Sequence, residues 1–444
     1  MTLPIGFRLP RVCLPRAGID MRRWAVIACD QYTAEPQVWD ELAQTVGDAP
    51  STLHLILPEA YLGARDEPER IRRIQHTMRR YLAEELLHER ETAVLVQRRL
   101  AAGTRRGLLL ELDLEHYDFS ADSTSLIRPT EGTIVARLAP RVAVRSGAAL
   151  EVPHVLVLID DPQRTVIEPL AAASDRLEKL YDTELLLGGG HVTGFAVDAA
   201  LAARAVQALQ ALAEPQAFCA RHGVPAGTPP VLFAVGDGNH SLATAKTMWD
   251  SVKARLPATH RSRYALVEVV NIHDPALDFA AIHRLLFGVR VDLRRALAGV
   301  FGNTLLCTEM ASAEALRDRV RAAPQSVHAA GLIGPGARFT AVEIADPRST
   351  LPVATFQAFI DGVLEQGGAT QVDYVHGDEV LQRLAMQEGH AGFLLPAVGK
   401  SQLMQRVVRE GPMPRKAFSM GEAHEKRFYV EARRIREDDD PAPG

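Results

Sequence analysis

The chain is short of everything that marks a stapled, membrane-borne or nucleic-acid-binding protein. Its four cysteines, Cys13, Cys29, Cys219 and Cys307, lie far apart, with no CxxC pair and no Cys/His spacing of a zinc site, so they read as buried thiols in a reducing compartment. The first twenty residues are interrupted by Pro4, Pro10 and Pro15, which leaves neither the apolar core of a signal peptide nor a spanning segment. A basic excess is also missing. The formal charge of −5 and pI near 6.3 provide no general field for a nucleic-acid backbone, which argues against such a partner although a local patch fits inside an acidic average. The Gly-x-x-x-x-Gly-Lys-Ser/Thr spacing is nowhere present, so there is no Walker A phosphate site, and there is no internal repeat or low-complexity tract. These absences together predict a cytoplasmic protein with no membrane partner, and they leave its oligomeric state open.

What remains is ordinary globular composition, 47% hydrophobic and 24% charged over 444 residues, enough for two or three domains. Residues 24–29 form an apolar run that ends in Asp30-Gln31-Tyr32-Thr33, a buried strand leading polar groups towards a cleft. Residues 67–90 carry Ile71, Ile74, Met78, Tyr81, Leu82 and Leu86 at helical spacing. Strands are expected at 92–98, 106–113 and 155–159, with a loop at 115–125. A helix is expected at 174–187, stopped by Gly188-Gly189-Gly190, and another at 197–221. Beyond a weakly marked boundary near 290, helices such as 313–322 alternate with strands such as 391–395. The expected fold is α/β with a mixed sheet: a catalytic core over 1–290, a C-terminal α/β region over 291–435, and a disordered tail over 436–444.

The most informative stretch is an apolar strand at 231–235, a tight turn Gly236-Asp237-Gly238-Asn239-His240-Ser241, and a helix from 242 to about 255. A helix start offers unpaired N–H groups and partial positive charge, so this turn is a natural anion site with phosphate as the obvious guest. Gly236 and Gly238 permit positive φ and close backbone approach, Asn239 and Ser241 donate to phosphate oxygens, and His240 donates or carries charge. Asp237 does not suit a bare phosphate pocket unless it binds a metal, takes a proton or orients His240. Phosphoryl transfer needs those functions. The plain alternative is a helix start capped by Asp237 or Asn239, and spacing alone weighs the two evenly.

Residues 127–134 bracket charged and hydroxyl groups between Pro129 and Gly132, and Arg137, Arg141 and Arg145 follow every fourth residue, a basic stripe if helical. Glu131 is a candidate general base, Arg128 a bidentate anion ligand, and Thr133, Arg137 and Tyr32 complete the substrate-facing set. Asp30, with Tyr32, is a second base or metal candidate. His273-Asp274 reads as a self-satisfied turn. His424, Lys426 and Arg427 bring cations to the site only if the C-terminal segment folds back over the core, and a charged surface is the simpler reading.

The strand and Gly-Asp-Gly-Asn-His-Ser turn resemble the Asp-Gly-His-His-Arg signature of the family known as domain of unknown function 1015. Residues 24–33, 128–134, 264–274 and 418–427 support the resemblance, which covers nearly the whole chain. That family resembles in turn the ParB/sulfiredoxin superfamily, which includes free serine kinases. The resemblance implies a ParB/sulfiredoxin-like core and a metal-dependent phosphotransferase acting on a small hydroxyl metabolite, above all free L-serine. It implies ATP, ADP or pyrophosphate as donor, and Asp237, His240 and the Gly238 backbone as phosphate and Mg²⁺ groups. Asn239 stands where the signature has His and Ser241 where it has Arg, which removes a cation that Arg128, Arg137 or Arg141 would have to replace. Two other classes compete: a non-catalytic nucleotide- or phosphometabolite-binding protein, which those two departures suit, and a ParB-like nucleotide-dependent clamp.

Overall fold

The computed structural model describes residues 6–414 and 416–437, and the backbone alone at Arg137. Most of the expected disordered tail, residues 438–444, lies outside the described residues. The chain divides into two units, one made of Met1–Asp278 with Gly421–Gly444 and the other of Phe279–Met420. The expected single region over 291–435 therefore differs from the structure at its end, because the chain returns to the first unit after Met420.

The first unit is built on a nine-stranded mixed sheet. Its strands run in the order Glu178–Glu184, His191–Ala196, Val94–Leu100, Gly103–Asp113, Tyr264–Asn271, Leu156–Ile159, Phe233–Asp237, Ile127–Pro129, with Phe7–Arg8 beside Gly103–Asp113. Two pairings are parallel, Tyr264–Asn271 with Leu156–Ile159 and Phe233–Asp237 with Ile127–Pro129, and the rest are antiparallel. Side chains alternate across a strand, and the two apolar cores follow that period. Leu108, Leu110, Val267 and Val269 enter one core, whereas Leu109 and Leu266 enter the other. Both faces are covered, which explains why these strands read as nearly continuous apolar runs.

Several boundaries differ from expectation for local reasons. The helix expected at 67–90 is Glu67–Ala83; Glu85 takes a left-handed φ of 52°, and Leu87–Glu91 becomes a strand against Arg11–Pro15. The strand expected at 24–29 is reduced to Val26–Ile27, because Asp20 accepts from Arg22 N–H and starts a one-turn helix, Met21–Trp24. The helix expected at 197–221 is two helices, Ala199–Leu212 and Pro215–His222, separated where Glu214 caps and Pro215 opens the second.

The helix expected at 174–187 is wrong in kind. Glu178–Glu184 is a strand in a hairpin with His191–Ala196, and the glycines form its loop, with positive φ at Gly188 and Gly190. Tyr181 packs across the hairpin onto Gly194, where an added Cβ would come within 2.1 Å of its ring.

The second unit holds a seven-stranded sheet in the order Leu305–Met310, Arg338–Ala345, Val327–Gly334, Ala391–Leu394, Phe279–Phe287, Gln371–His376, with Phe418–Met420 on Phe279–Phe287. All its pairings are antiparallel. The Ala313–Arg321 helix buries Leu316 and Val320 against it.

Candidate functional site

The strand Phe233–Asp237 runs two residues further than its apolar run suggests, so the turn is a single residue, Gly238. Gly238 has φ 76°, and the helix Asn239–Val252 starts immediately after it. Asn239, His240 and Ser241 thus form the first helical turn and not a loop, and of the two glycines only Gly238 takes positive φ. A Cβ on Gly238 would lie 3.0 Å from Val155 Cα and 3.3 Å from the His154 ring, so glycine is needed both for its conformation and for the approach of residues 154–155. Gly238 offers no side-chain acceptor to the helix N–H groups behind it. This start of a 14-residue helix carries the partial positive charge expected of it.

Asp237 faces this helix start without capping it. Its Oδ1 accepts from Gly238 N–H at 2.9 Å, and its Oδ2 accepts from Lys426 Nζ at 3.1 Å. Burial pushes the Asp237 carboxyl up, but Lys426, the nearby His154 and the Gly238 amide outweigh it and hold the carboxyl below its ordinary value. The C-terminal segment therefore does fold back, and Lys426 is 9% exposed.

Two buried arginines hold that segment by its carbonyls. Arg98 donates to the carbonyls of Gly189, His424, Glu425 and Lys426, and Arg105 donates to that of Glu425. Arg427 points the other way, to Glu268 at 2.7 Å, Glu431 at 2.7 Å and the Pro153 carbonyl. Burial alone would lower its pKa, but the two carboxylates raise it. Its guanidinium is thus a brace between strand and segment, and Lys426 is the cation delivered to the turn.

A third group lies beside the turn. Tyr429 hydroxyl accepts from Cys29 N–H at 3.0 Å and meets His154 Nδ1 at 2.9 Å. Having accepted from the amide, the phenol donates to Nδ1, which places the proton of a neutral ring on Nε2. That nitrogen is 3.8 Å from Asp30 Oδ2, and Asp30 Oδ1 accepts from Gln31 Nε2 at 2.9 Å. Burial, with Cys29 and Asp30 nearby, pushes the Tyr429 phenol well up, and burial with the charge of Asp30 pushes the Cys29 thiol up to about 12, so neither ionises near neutrality.

The other sequence candidates are divided. His240 turns its Nε2 to accept from Ile134 N–H at 3.2 Å, which ties the 131–134 loop to the helix start; a nitrogen used in this way does not donate to phosphate. Half-buried Glu131 and Thr133 belong to that loop. Thr133 Oγ1 and Asn239 Oδ1 are buried without a hydrogen-bond partner. Arg128 is a correction. It is 6% exposed, and its guanidinium donates to the Ser125 and Pro229 carbonyls at 2.8 and 3.0 Å, a brace on the strand edge and not an anion ligand. The basic stripe is neutralised where it is described, Arg141 by Glu59 and Arg145 by Glu151 at 2.6 Å; the side chain of Arg137 lies outside the described residues. Tyr32 takes a left-handed φ of 51°, and burial followed by the charge of Glu35 raises its pKa. His273 and Asp274 lie elsewhere, His273 on Asp160 at 2.7 Å.

His154 is not among the residues expected from the sequence, and Lys426 is expected there only if the C-terminal segment folds back, as it does. Pro153-His154 directly before a buried strand was the available signal for the first. Nothing local marks the second.

Asp237 is corrected as a metal ligand by its ion pair with Lys426. Among the described residues no group of three or more His, Cys, Asp or Glu side chains is arranged to hold a metal ion. A lone carboxylate already neutralised by an ammonium does not fit a protein-held Mg²⁺, so no step is assigned to one.

The arrangement defines a mixed α/β protein with a cationic helix start beside a carboxylate–histidine–tyrosine cluster. The chain belongs to the family described as Protein of unknown function (DUF1015), whose model matches residues 13–363. No curated protein matches it. Among solved structures it is similar to a conserved hypothetical protein from Pyrococcus furiosus, with 12% identity and TM-score 0.37 over 74% of this chain and 95% of that one. A free serine kinase in complex with AMP matches with 11% identity and TM-score 0.38 over 74% and 92%. SbnI with C-terminal truncation from Staphylococcus aureus matches with 12% identity and TM-score 0.35 over 74% and 92%. Likeness this weak assigns no activity to the chain. Among the described residues no helix is long and apolar enough to cross a membrane.

Proposed function

We propose that the site binds the phosphates of ATP, ADP or pyrophosphate at the start of the Asn239–Val252 helix and transfers the terminal phosphoryl group to a small hydroxyl metabolite, with free L-serine among the acceptors to test. The observation that carries this reading is the Lys426 ammonium fixed 3.1 Å from Asp237 at a glycine-capped helix start. The helix N–H groups attract the anion, and the Lys426 ammonium, whose charge is shared with Asp237, has further N–H donors to turn to it. Asn239 supports it, since an amide rotated by 180° presents N–H₂ where its unpartnered oxygen now stands.

The hydroxyl is activated across the site. An oxygen placed off the line between Asp30 Oδ2 and His154 Nε2, 3.8 Å apart, reaches both. Its proton passes to Asp30, its lone pair forms the new O–P bond, and the bond to the leaving phosphate breaks with its electrons remaining on that oxygen. His154, held by Tyr429, orients the hydroxyl. A second reading, binding without transfer, is favoured by the closed Asp237–Lys426 pair, which leaves the turn carboxylate no free charge.

Phosphorus NMR of the protein with each donor and a panel of hydroxyl compounds, in the presence of Mg²⁺, separates the two. Transfer gives a new phosphomonoester signal that falls roughly 10²-fold or more in rate in Asp30→Asn with donor binding retained. Donor binding with no new signal in any mixture refutes transfer and leaves the binding protein.

A further inference from the structure

A cavity of about 130 Å³ opens between the Leu138–Ser146 helix and the segment around residues 55–62, and of the cluster just described Cys29, His154 and Tyr429 line it. Its walls are apolar, with Leu57, Leu62, Met78, Val144 and Val152 among them. Four charged side chains border it, and they cancel in two pairs: Arg141 bonds Glu59, and Arg145 bonds Glu151 at 2.6 Å. Glu151 is further committed to Arg433 at 2.7 Å and to Leu266 N–H at 2.8 Å. The polar end of the cavity is formed by His154, Tyr429, Ser241 and Thr244.

We infer that this cavity is the acceptor subsite and that it selects an uncharged hydroxyl compound with a short aliphatic body, the hydroxyl at His154 Nε2, 3.8 Å from Asp30, and the carbon chain against Leu57, Met78 and Val144. The inference rests on the proposed transfer for the word acceptor, but the binding preference stands by itself. A free amino acid brings an ammonium and a carboxylate into a wall whose charges are already paired, and it has to open the Arg141–Glu59 bridge to be received. Desolvating charges without new partners is unfavourable. An alkyl chain gives up no polar hydration on entering and gains the hydrophobic term of every methylene covered.

The test is saturation-transfer NMR on the full chain with butan-1-ol, pentan-1-ol and hexan-1-ol, against ethane-1,2-diol and L-serine. The expected result is binding that strengthens roughly threefold to fourfold per methylene along the alcohol series, with no detectable binding of L-serine without donor. Val144→Trp and Leu62→Trp, both half-buried rim positions, fill the cavity from its mouth and should weaken hexan-1-ol at least tenfold. The inference is overturned if hexan-1-ol does not bind, if L-serine binds as well as hexan-1-ol, or if both tryptophan variants bind hexan-1-ol as the parent does. The wild-type series decides even if a variant fails to fold. Alcohol binding without phosphomonoester formation refutes transfer while the cavity's preference stands; transfer to L-serine with no alcohol binding does the reverse.

Discussion

Replacing Lys426 with methionine keeps the aliphatic stem and removes the ammonium, leaving the Asp237 carboxylate with the Gly238 amide and the nearby His154. Removing one partner of a fully buried pair costs roughly 3–5 kcal/mol, and an exposed pair is worth about 0–1 kcal/mol. Here the side chains are 11% and 23% exposed, so the pair falls between those limits, and a loss of about 2 kcal/mol is expected at pH 7. Asp237→Asn in the Lys426→Met background relieves the stranded charge. The double variant should therefore be more stable than the sum of the single losses, with a coupling of about 1 kcal/mol or more.

The pair also has a pH signature. Because the folded Asp237 carboxyl lies below its ordinary value of 3.8, its contribution is complete above that value and is lost as pH falls through the folded one. Without Lys426 burial pushes the carboxyl up, so the gap between wild type and Lys426→Met should begin to close above that range and finish closing within it. Urea unfolding followed by tryptophan fluorescence is a suitable assay, since Trp24, Trp39 and Trp249 all belong to the first unit. Additive losses, or a Lys426→Met variant within about 0.5 kcal/mol of wild type at pH 7, would refute the reasoning, for surface substitutions stay within that margin.

Three further outcomes follow from the geometry. Gly238→Ala forces a Cβ to 3.0 Å from the Val155 backbone at a φ of 76°, and should cost about 1–2 kcal/mol in urea unfolding, the scale of a left-handed alanine. Arg98→Met releases the carbonyls of residues 424–426, so hydrogen exchange at residues 424–427 should accelerate while the second unit, Phe279–Met420, exchanges as before; unchanged exchange would show that the arginine does not hold the segment. In the second unit, burial lowers His328 from 6.5 to about 4, so its neutral form contributes stability that is complete above 6.5 and drains away as pH falls towards 4. His328→Gln should flatten that part of the calorimetric pH profile, and an unaltered slope would contradict the assignment.

The parts of the fold legible in the sequence are those set by local period. The apolar runs at 106–113, 155–159 and 231–235 mark central strands because both faces of the sheet are covered, and the 313–322 helix shows its buried stripe directly. The segment 174–187 fails for the opposite reason. Its Glu, Lys and Leu residues suit a helix, and what overrides them is Tyr181 lying on Gly194, a contact across the hairpin that no helical window contains. In the site, Gly238 and Asp237 are legible because a strand, a glycine and a helix are contiguous. Lys426 is not, because it reaches Asp237 across 189 residues, nor is His154, whose ring is oriented by a tyrosine 275 residues away. Arg128 misleads because a guanidinium near a candidate loop looks the same whether it faces a ligand or two backbone carbonyls.

The central claim is that Lys426 and the helix start together make an anion site, and calorimetric titration of pyrophosphate and ATP tests it most directly. A charge-assisted hydrogen bond contributes about 1.5–3 kcal/mol, which is roughly ten- to a hundredfold in affinity. Lys426→Met should therefore bind both anions at least tenfold more weakly than wild type, while Lys253→Met, whose ammonium pairs with Asp250 at 2.8 Å and with Glu115 at 3.1 Å, should bind them as wild type does. Equal affinity in wild type and Lys426→Met, or no binding of either anion to the wild-type protein, would contradict the account.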